Sequence, residues 1–161
     1  MVKVLVKRLN SKVKLPEYKT SGSSGVDLMA FIDSPIKIAP NTLELVPTGL
    51  SIAIPDDLEI QIRPRSGLAA KSNIGVLNAP GTIDSDYRGE LKIILFNHGN
   101  KDFIVNSNDR VAQMVLTPVI KMELEEVDQL PITIRGSGGF GSTGKWKTFL
   151  IKNLLKDTQD K

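Results

Sequence analysis

Cysteine is absent from the 161 residues, and histidine occurs once, at His98. The first absence excludes disulfides, zinc–thiolate centres and thiol catalysis, and the second a multi-histidine metal site. Any divalent ion must therefore take oxygen ligands, which suits magnesium beside phosphates. Aromatic residues make up only 5% of the chain, too few for a base-stacking platform. No apolar run approaches the length of a membrane span. The opening MVKVLVKRL is too short and too broken by lysine for a signal-peptide core, so a cytoplasmic protein is expected. Before residue 145 there is also no sustained 3.6-residue periodicity, which leaves little room for helix.

What remains is enough chain for one ordinary domain with a buried core, at 40% hydrophobic residues and a mean hydropathy of −0.07. The formal charge of +3 sits at the ends. Residues 1–20 hold six Lys/Arg against one Glu, and residues 145–161 hold five Lys against two Asp. Between them lie ten Lys/Arg and fifteen Asp/Glu, so the body is acidic. A nucleic-acid binder concentrates its cations on one face or groove, and no such partner is expected here.

Short apolar alternations recur between Pro, Gly and Asn turns. They predict strands at Val2–Leu9, Val26–Phe31, Ile36–Ile38, two runs within Leu43–Ile54, Leu58–Ile62, Glu90–Phe96, Phe103–Val105, Val111–Val119 and Leu124–Val127. The expected fold is all-β, a distorted jelly roll or β-sandwich, with short helical segments only near 67–72 and in the C-terminal tail. No internal repeat or interior linker divides residues 1–134. A glycine-rich arm follows at 135–144 and a tail of unassigned role at 145–161.

Chemistry gathers in four places. Gly75–Lys92, GVLNAPGTIDSDYRGELK, reads as a hairpin carrying Asn78, Asp84, Asp86 and Tyr87 at or beside its turns. Such a tip can offer backbone groups, a base and a flat ring to one small ligand, although turns are rich in these residues for conformational reasons alone. Arg63-Pro-Arg65-Ser66-Gly67 ends a strand ahead of a short helix, either a phosphate grip or a plain connector. Arg110–Met114 opens another strand, with Gln113 on a pocket or in solvent. Arg135–Gly144, RGSGGFGSTG, has five glycines in ten residues, either an arm that folds over phosphates or a linker. Its G-x-G-x-x-G lacks room for a βαβ unit behind it. Its G-x-x-x-x-G-K is followed by Trp146, where a P-loop needs Ser or Thr.

Each signal is weak alone, but their order is specific. Ser24–Leu28 (SGVDL), residues 64–69 (PRSGLA), Asn78–Gly89, residues 110–115 (RVAQMV) and residues 135–144 together resemble the five-motif pattern of the homotrimeric dUTP pyrophosphatase (dUTPase) family. The resemblance runs from the first strand to Gly144, and the β jelly roll it implies agrees with the strand pattern.

By that resemblance the chain hydrolyses dUTP to dUMP and pyrophosphate with Mg2+. Water attacks the α-phosphorus, which limits uracil in DNA and supplies dUMP for thymidylate synthesis. Asp84 is implied to be the general base, and Asp27 to hold waters of the magnesium ion. Arg65, Ser66 and Gly67 are implied to grip the phosphate chain, Asn78 to pair with the uracil edge, and Tyr87 to lie against the deoxyribose where a 2′-hydroxyl would clash. Gln113 is implied to help hold the nucleotide, Arg135 to reach the γ-phosphate, and Phe140 to stack over uracil when the arm closes. Asp86 is expected to tie the turn around Tyr87. Three subunits share each site. The alternatives are a dCTP deaminase, or its bifunctional form, on the same fold, a non-catalytic nucleotide-sensing or interaction module with the tail as effector, and, more distantly, a nucleic-acid-binding β protein.

Overall fold

A computed structural model of the protein describes residues 2–139, in two units, Met1–Lys121 and Met122–Lys161. The first unit holds all the regular structure among the described residues. In chain order it runs β1 (Leu5–Arg8), β2 (Val26–Met29), β3 (Ile36–Ile38), β4 (Leu43–Pro47), β5 (Leu50–Ala53) and β6 (Leu58–Arg63). There follow α1 (Ser66–Ser72), β7 (Ile74–Val76), β8 (Gly81–Ile83), β9 (Lys92–Asn97), β10 (Phe103–Val105) and β11 (Arg110–Pro118). The strands make a four-stranded sheet in the order β2-β11-β6-β8, a three-stranded sheet β4-β9-β7, and the pairs β1-β5 and β3-β10, every pairing antiparallel.

The alternation that predicted these strands also decides which face they bury. On β6, Ile60 and Ile62 enter the core, while Glu59, Gln61 and Arg63 point outward and hydrogen-bond in a row along the strand. On β9, Ile93, Leu95 and Asn97 point inward. Leu28, Ala112 and Met114 from the first sheet join Val46, Ile74, Val76, Ile93 and Leu95 from the second in one apolar core. The fully buried Asn97 satisfies its amide by donating to the Ile38 and Lys101 carbonyls at 2.9 and 2.8 Å and accepting from the Gly99 amide at 2.9 Å. Nearly all-β with one short helix among the described residues, this is the jelly-roll architecture expected.

Differences lie at the edges. The first strand is shorter than the alternation of Val2–Leu9 implied, and all four of its residues are exposed. Leu124–Val127 forms no strand, because its apolar positions meet no pairing edge among the described residues. The stretch 75–92 is not one hairpin. β7 and β9 pair directly, Val76 opposite Leu95, but the excursion between them contains β8, which crosses to β6 in the other sheet. A three-residue strand among turn-formers gives no alternation to read, so β7 and β8 were not foreseen. Among the described residues no helix is long and apolar enough to cross a membrane. In the second unit, residues 133–138 make a turn in which the Gly136 and Gly138 amides bond the Thr133 and Arg135 carbonyls at 3.1 and 3.0 Å. Phe140 and the helical segment expected in the tail lie outside the described residues.

Candidate active site

Strand register brings two of the predicted residues, Asp27 and Gln113, to one outward corner of the four-stranded sheet. Gln113 on β11 lies between Asp27 on β2 and Arg63 on β6, so those three side chains share a face. Two residues past Arg63, Arg65 leaves the strand in an extended conformation (φ −91°, ψ 126°) and its carbonyl starts α1. The Gln113 amide donates to the Pro64 carbonyl at 3.1 Å, fixing the strand end that carries Arg65. Gly25 lets β2 approach this closely, because a Cβ there would lie 2.8 Å from the Met114 carbonyl oxygen and 3.2 Å from Gln113 Oε1.

The Asp27 carboxylate, 18% exposed, is held at both oxygens. Arg65 Nε donates to Oδ1 at 2.9 Å and Arg110 Nη1 to Oδ2 at 3.0 Å. Arg65 Nη1 also donates to the Arg110 carbonyl at 3.0 Å. Ser66 and Gly67 open α1 and are exposed, and no atom lies within 4 Å of the position a Gly67 Cβ would take. The first amides of a helix lack intrahelical partners, so this turn presents donors toward solvent beside two guanidiniums. A hollow of about 350 Å³ is walled by Asp27 and Arg110 together with Lys14, Leu15, Glu17, Lys19 and Met29. On its wall Lys19 hydrogen-bonds Glu17 at 2.6 Å and, with its charge, holds that exposed carboxyl below the ordinary carboxylate range.

The second group sits elsewhere. Ile83 pairs with Ile60, five residues before Arg65, so Asp84 leaves the sheet roughly 16 Å back along β6. Asp84 is exposed and joins none of the ion pairs among the described residues. It opens a tight turn in which the Tyr87 amide bonds the Asp84 carbonyl at 3.2 Å. Asp86 was expected to tie this turn; Arg88 ties it instead, its Nη1 donating to the Ser85 and Tyr87 carbonyls at 2.6 and 2.8 Å. An arginine reaching back over its own turn can bridge two carbonyls, which a short carboxylate cannot. Tyr87 folds its ring over Gly89 and donates its hydroxyl to the Glu90 carbonyl at 3.1 Å. Asn78 is exposed at the turn joining β7 to β8, with its amide packed toward Gly81 at the start of β8.

One chain therefore brings Asp27, Arg65, Ser66, Gly67 and Gln113 together, and sets Asn78, Asp84 and Tyr87 on a separate excursion. Arg135, in the second unit, donates through Nε to the Gly138 carbonyl at 2.7 Å, closing the turn where its glycine arm begins. The sequence reading did not single out Arg88, Glu90 or Arg110. Arg88 and Arg110 each left a trace there, the one inside the Asn78–Gly89 motif and the other as the first residue of RVAQMV.

Three comparisons bear on these groups. The dUTPase family model matches residues 11–144. A deoxyuridine 5'-triphosphate nucleotidohydrolase of Rickettsia massiliae (strain Mtu5) is 52% identical over 145 residues, covering 89% of this chain and 98% of the relative. The protein of the same name from Treponema denticola is 53% identical over 137 residues, covering 85% of this chain and 95% of the relative. A solved structure of a Staphylococcus bacteriophage 80alpha dUTPase mutant with dUpNHpp has the same fold, with a TM-score of 0.80 at 22% identity over 89% of this chain and 99% of that one. The matched segment contains all five ordered motifs, and the chain belongs to the dUTPase family.

Proposed function

We propose that this chain hydrolyses dUTP to dUMP and pyrophosphate, and that it does so as a homotrimer whose sites are shared between subunits. The activity follows from family membership and from relatives more than half identical that carry the name of that reaction. The observation that carries the shared site is the split of the candidate residues. A general base must come within hydrogen-bond reach of the water it activates. Asp84 leaves the sheet opposite the middle of β6, roughly 16 Å of extended backbone from Arg65 of its own chain, and no hydrogen bond joins the two groups. A second copy supplies the missing half. The apolar side chains of Ile120, Met122 and Leu124 alternate and are 94%, 80% and 85% exposed, as suits a segment covered by another subunit.

In the assembled site Arg65, Ser66 and Gly67 hold the phosphate chain, and Gln113 keeps their strand end in place. Asn78 and the backbone around it pair with the uracil edge, and the Tyr87 ring fills the space a 2′-hydroxyl would need. Asp84 orients a water and takes its proton as the oxygen bonds to the α-phosphorus. The bond from that phosphorus to the bridging oxygen breaks, and pyrophosphate leaves. Arg135 neutralises γ-phosphate charge, and Phe140 covers the base.

The donor set fits magnesium only at second hand. No group of three or more His, Cys, Asp or Glu among the described residues surrounds a metal position. Asp27 gives one bond to each arginine, and a carboxylate has about four acceptor positions, so it would still have room to accept from metal-bound waters. Bound between the phosphates, magnesium would neutralise their charge, with Asp27 as its outer-sphere holder.

The test is hydrolysis in 18O-labelled water. Equimolar dUMP and pyrophosphate with the label in dUMP are expected. Label in pyrophosphate would place attack on the β-phosphorus, and ammonia from dCTP without pyrophosphate from dUTP would overturn the activity.

A further inference from the structure

Arg110 has no role in the reaction as set out above, yet it completes the most tightly held cluster of the phosphate corner. We propose that Arg110 is a positioning residue for the phosphate grip: through Asp27 and through its own carbonyl it fixes the direction in which Arg65 presents its free N–H groups. The inference rests on the dUTP reading of the site.

Backbone geometry at Arg110 supports it first. β11 pairs with β2 as Gln113 opposite Asp27 and Ala112 opposite Leu28, but Arg110 stands opposite Met29, so one residue is extra. Val111 and Ala112 are accordingly both buried in succession, which breaks the alternation of the strand. In a regular strand Arg110, three residues from Gln113, would point to the opposite face. The bulge reverses that parity and turns Arg110 onto the outward face beside Asp27. The sheet is thus irregular at the place where a second guanidinium has to be delivered.

The bonding comes second. Arg65 alone on Asp27 would leave the carboxylate free to turn about its χ angles, and the guanidinium with it. Arg110 Nη1 on Oδ2, at 3.0 Å, pins the second oxygen, so the 2.9 Å bond from Oδ1 to Arg65 Nε has one direction. The Arg110 carbonyl takes a further Arg65 N–H at 3.0 Å. Two of the five donors of a planar guanidinium are then occupied by fixed partners, and the other three are held in a set orientation. The Arg65 side chain is 23% exposed and that of Asp27 18%, so water competes weakly for the bond between them, while Arg110 is 48% exposed. Pre-orientation of this kind lowers the cost of ordering the grip when a triphosphate arrives.

The experiment measures dissociation constants of the full-length protein for α,β-imido-dUTP and for deoxyuridine, which has no phosphate, each in EDTA and in magnesium. Arg110→Ala should weaken the imido analogue about tenfold in both buffers, the size expected for loss of a charge-assisted hydrogen bond, and leave deoxyuridine unchanged. Arg110→Lys, which keeps the charge but offers a point donor, should recover part of that loss. Unchanged binding of the imido analogue by Arg110→Ala would overturn the proposal. So would equal weakening of both ligands, which marks a structural role, or weakening confined to magnesium, which marks an effect through the metal waters of Asp27. If the wild-type protein does not hydrolyse dUTP, the activity reading fails; if it does and Arg110→Ala binds normally, only the positioning role fails.

Discussion

Tyr87 donates its hydroxyl to the carbonyl of Glu90, three residues on, at 3.1 Å, with its ring laid over Gly89. The ring that would meet the sugar is thus set by its own loop. A Cβ at position 89 would overlap both the ring and the hydroxyl. Gly89→Ala should therefore displace Tyr87, lowering kcat/KM for dUTP about tenfold or more and narrowing the preference for dUTP over UTP. Parallel kinetics on the two nucleotides check this; an unchanged ratio would mean that the ring does not select the sugar.

The same loop is tied to the core through the Glu90 side chain, which accepts the Gly49 amide at 2.8 Å across 41 residues of sequence. Glu90→Ala leaves that part-buried N–H without its partner and should cost about 1–3 kcal/mol in urea unfolding. Glu90→Gln keeps an acceptor oxygen and should recover most of the loss. If both variants unfold alike, charge rather than the amide bond matters at this position.

Asp84→Asn removes a proton acceptor from an exposed position that joins no ion pair among the described residues. Folding stability should stay within about 0.5 kcal/mol of wild type, as for other surface changes, and turnover should fall roughly 10²–10⁴-fold. Thermal unfolding and imido-dUTP binding separate the two effects. Full turnover in this variant would remove Asp84 as the base.

Most strands were legible because strands such as β6 and β9 put apolar residues on one face, and period-2 alternation shows in sequence. β7 and β8 were hidden, being three residues long and bounded by Asn, Pro and Gly that read as turns. The motif order named the residues of the site, but not their bonds. Arg88 looks like one more turn residue in DYRGE until its guanidinium is seen to bridge two carbonyls. Arg110 looks buried-side by strand parity until the bulge reverses it. Such roles depend on register and on contacts 83 residues apart in sequence, which no local pattern encodes.

Two glycines of the phosphate corner should respond to alanine in opposite ways. At Gly25 the new Cβ would lie 2.8 Å from a backbone oxygen of β11 and 2.9 Å from Val115 Cγ2, so two strands must separate. Gly25→Ala should cost about 1–3 kcal/mol in urea unfolding and weaken triphosphate binding as Asp27 moves with β2. At Gly67, near the start of α1, nothing lies within 4 Å of the Cβ position. Gly67→Ala should leave stability unchanged or raise it by up to about 1 kcal/mol, since alanine is the better helix former. Its turnover of dUTP should nevertheless fall, because a methyl group would stand where the phosphate chain approaches the first turn. Greater stability with lower kcat/KM would mark position 67 as glycine for the ligand's sake; unimpaired turnover would leave the phosphates to Arg65 and Ser66 alone.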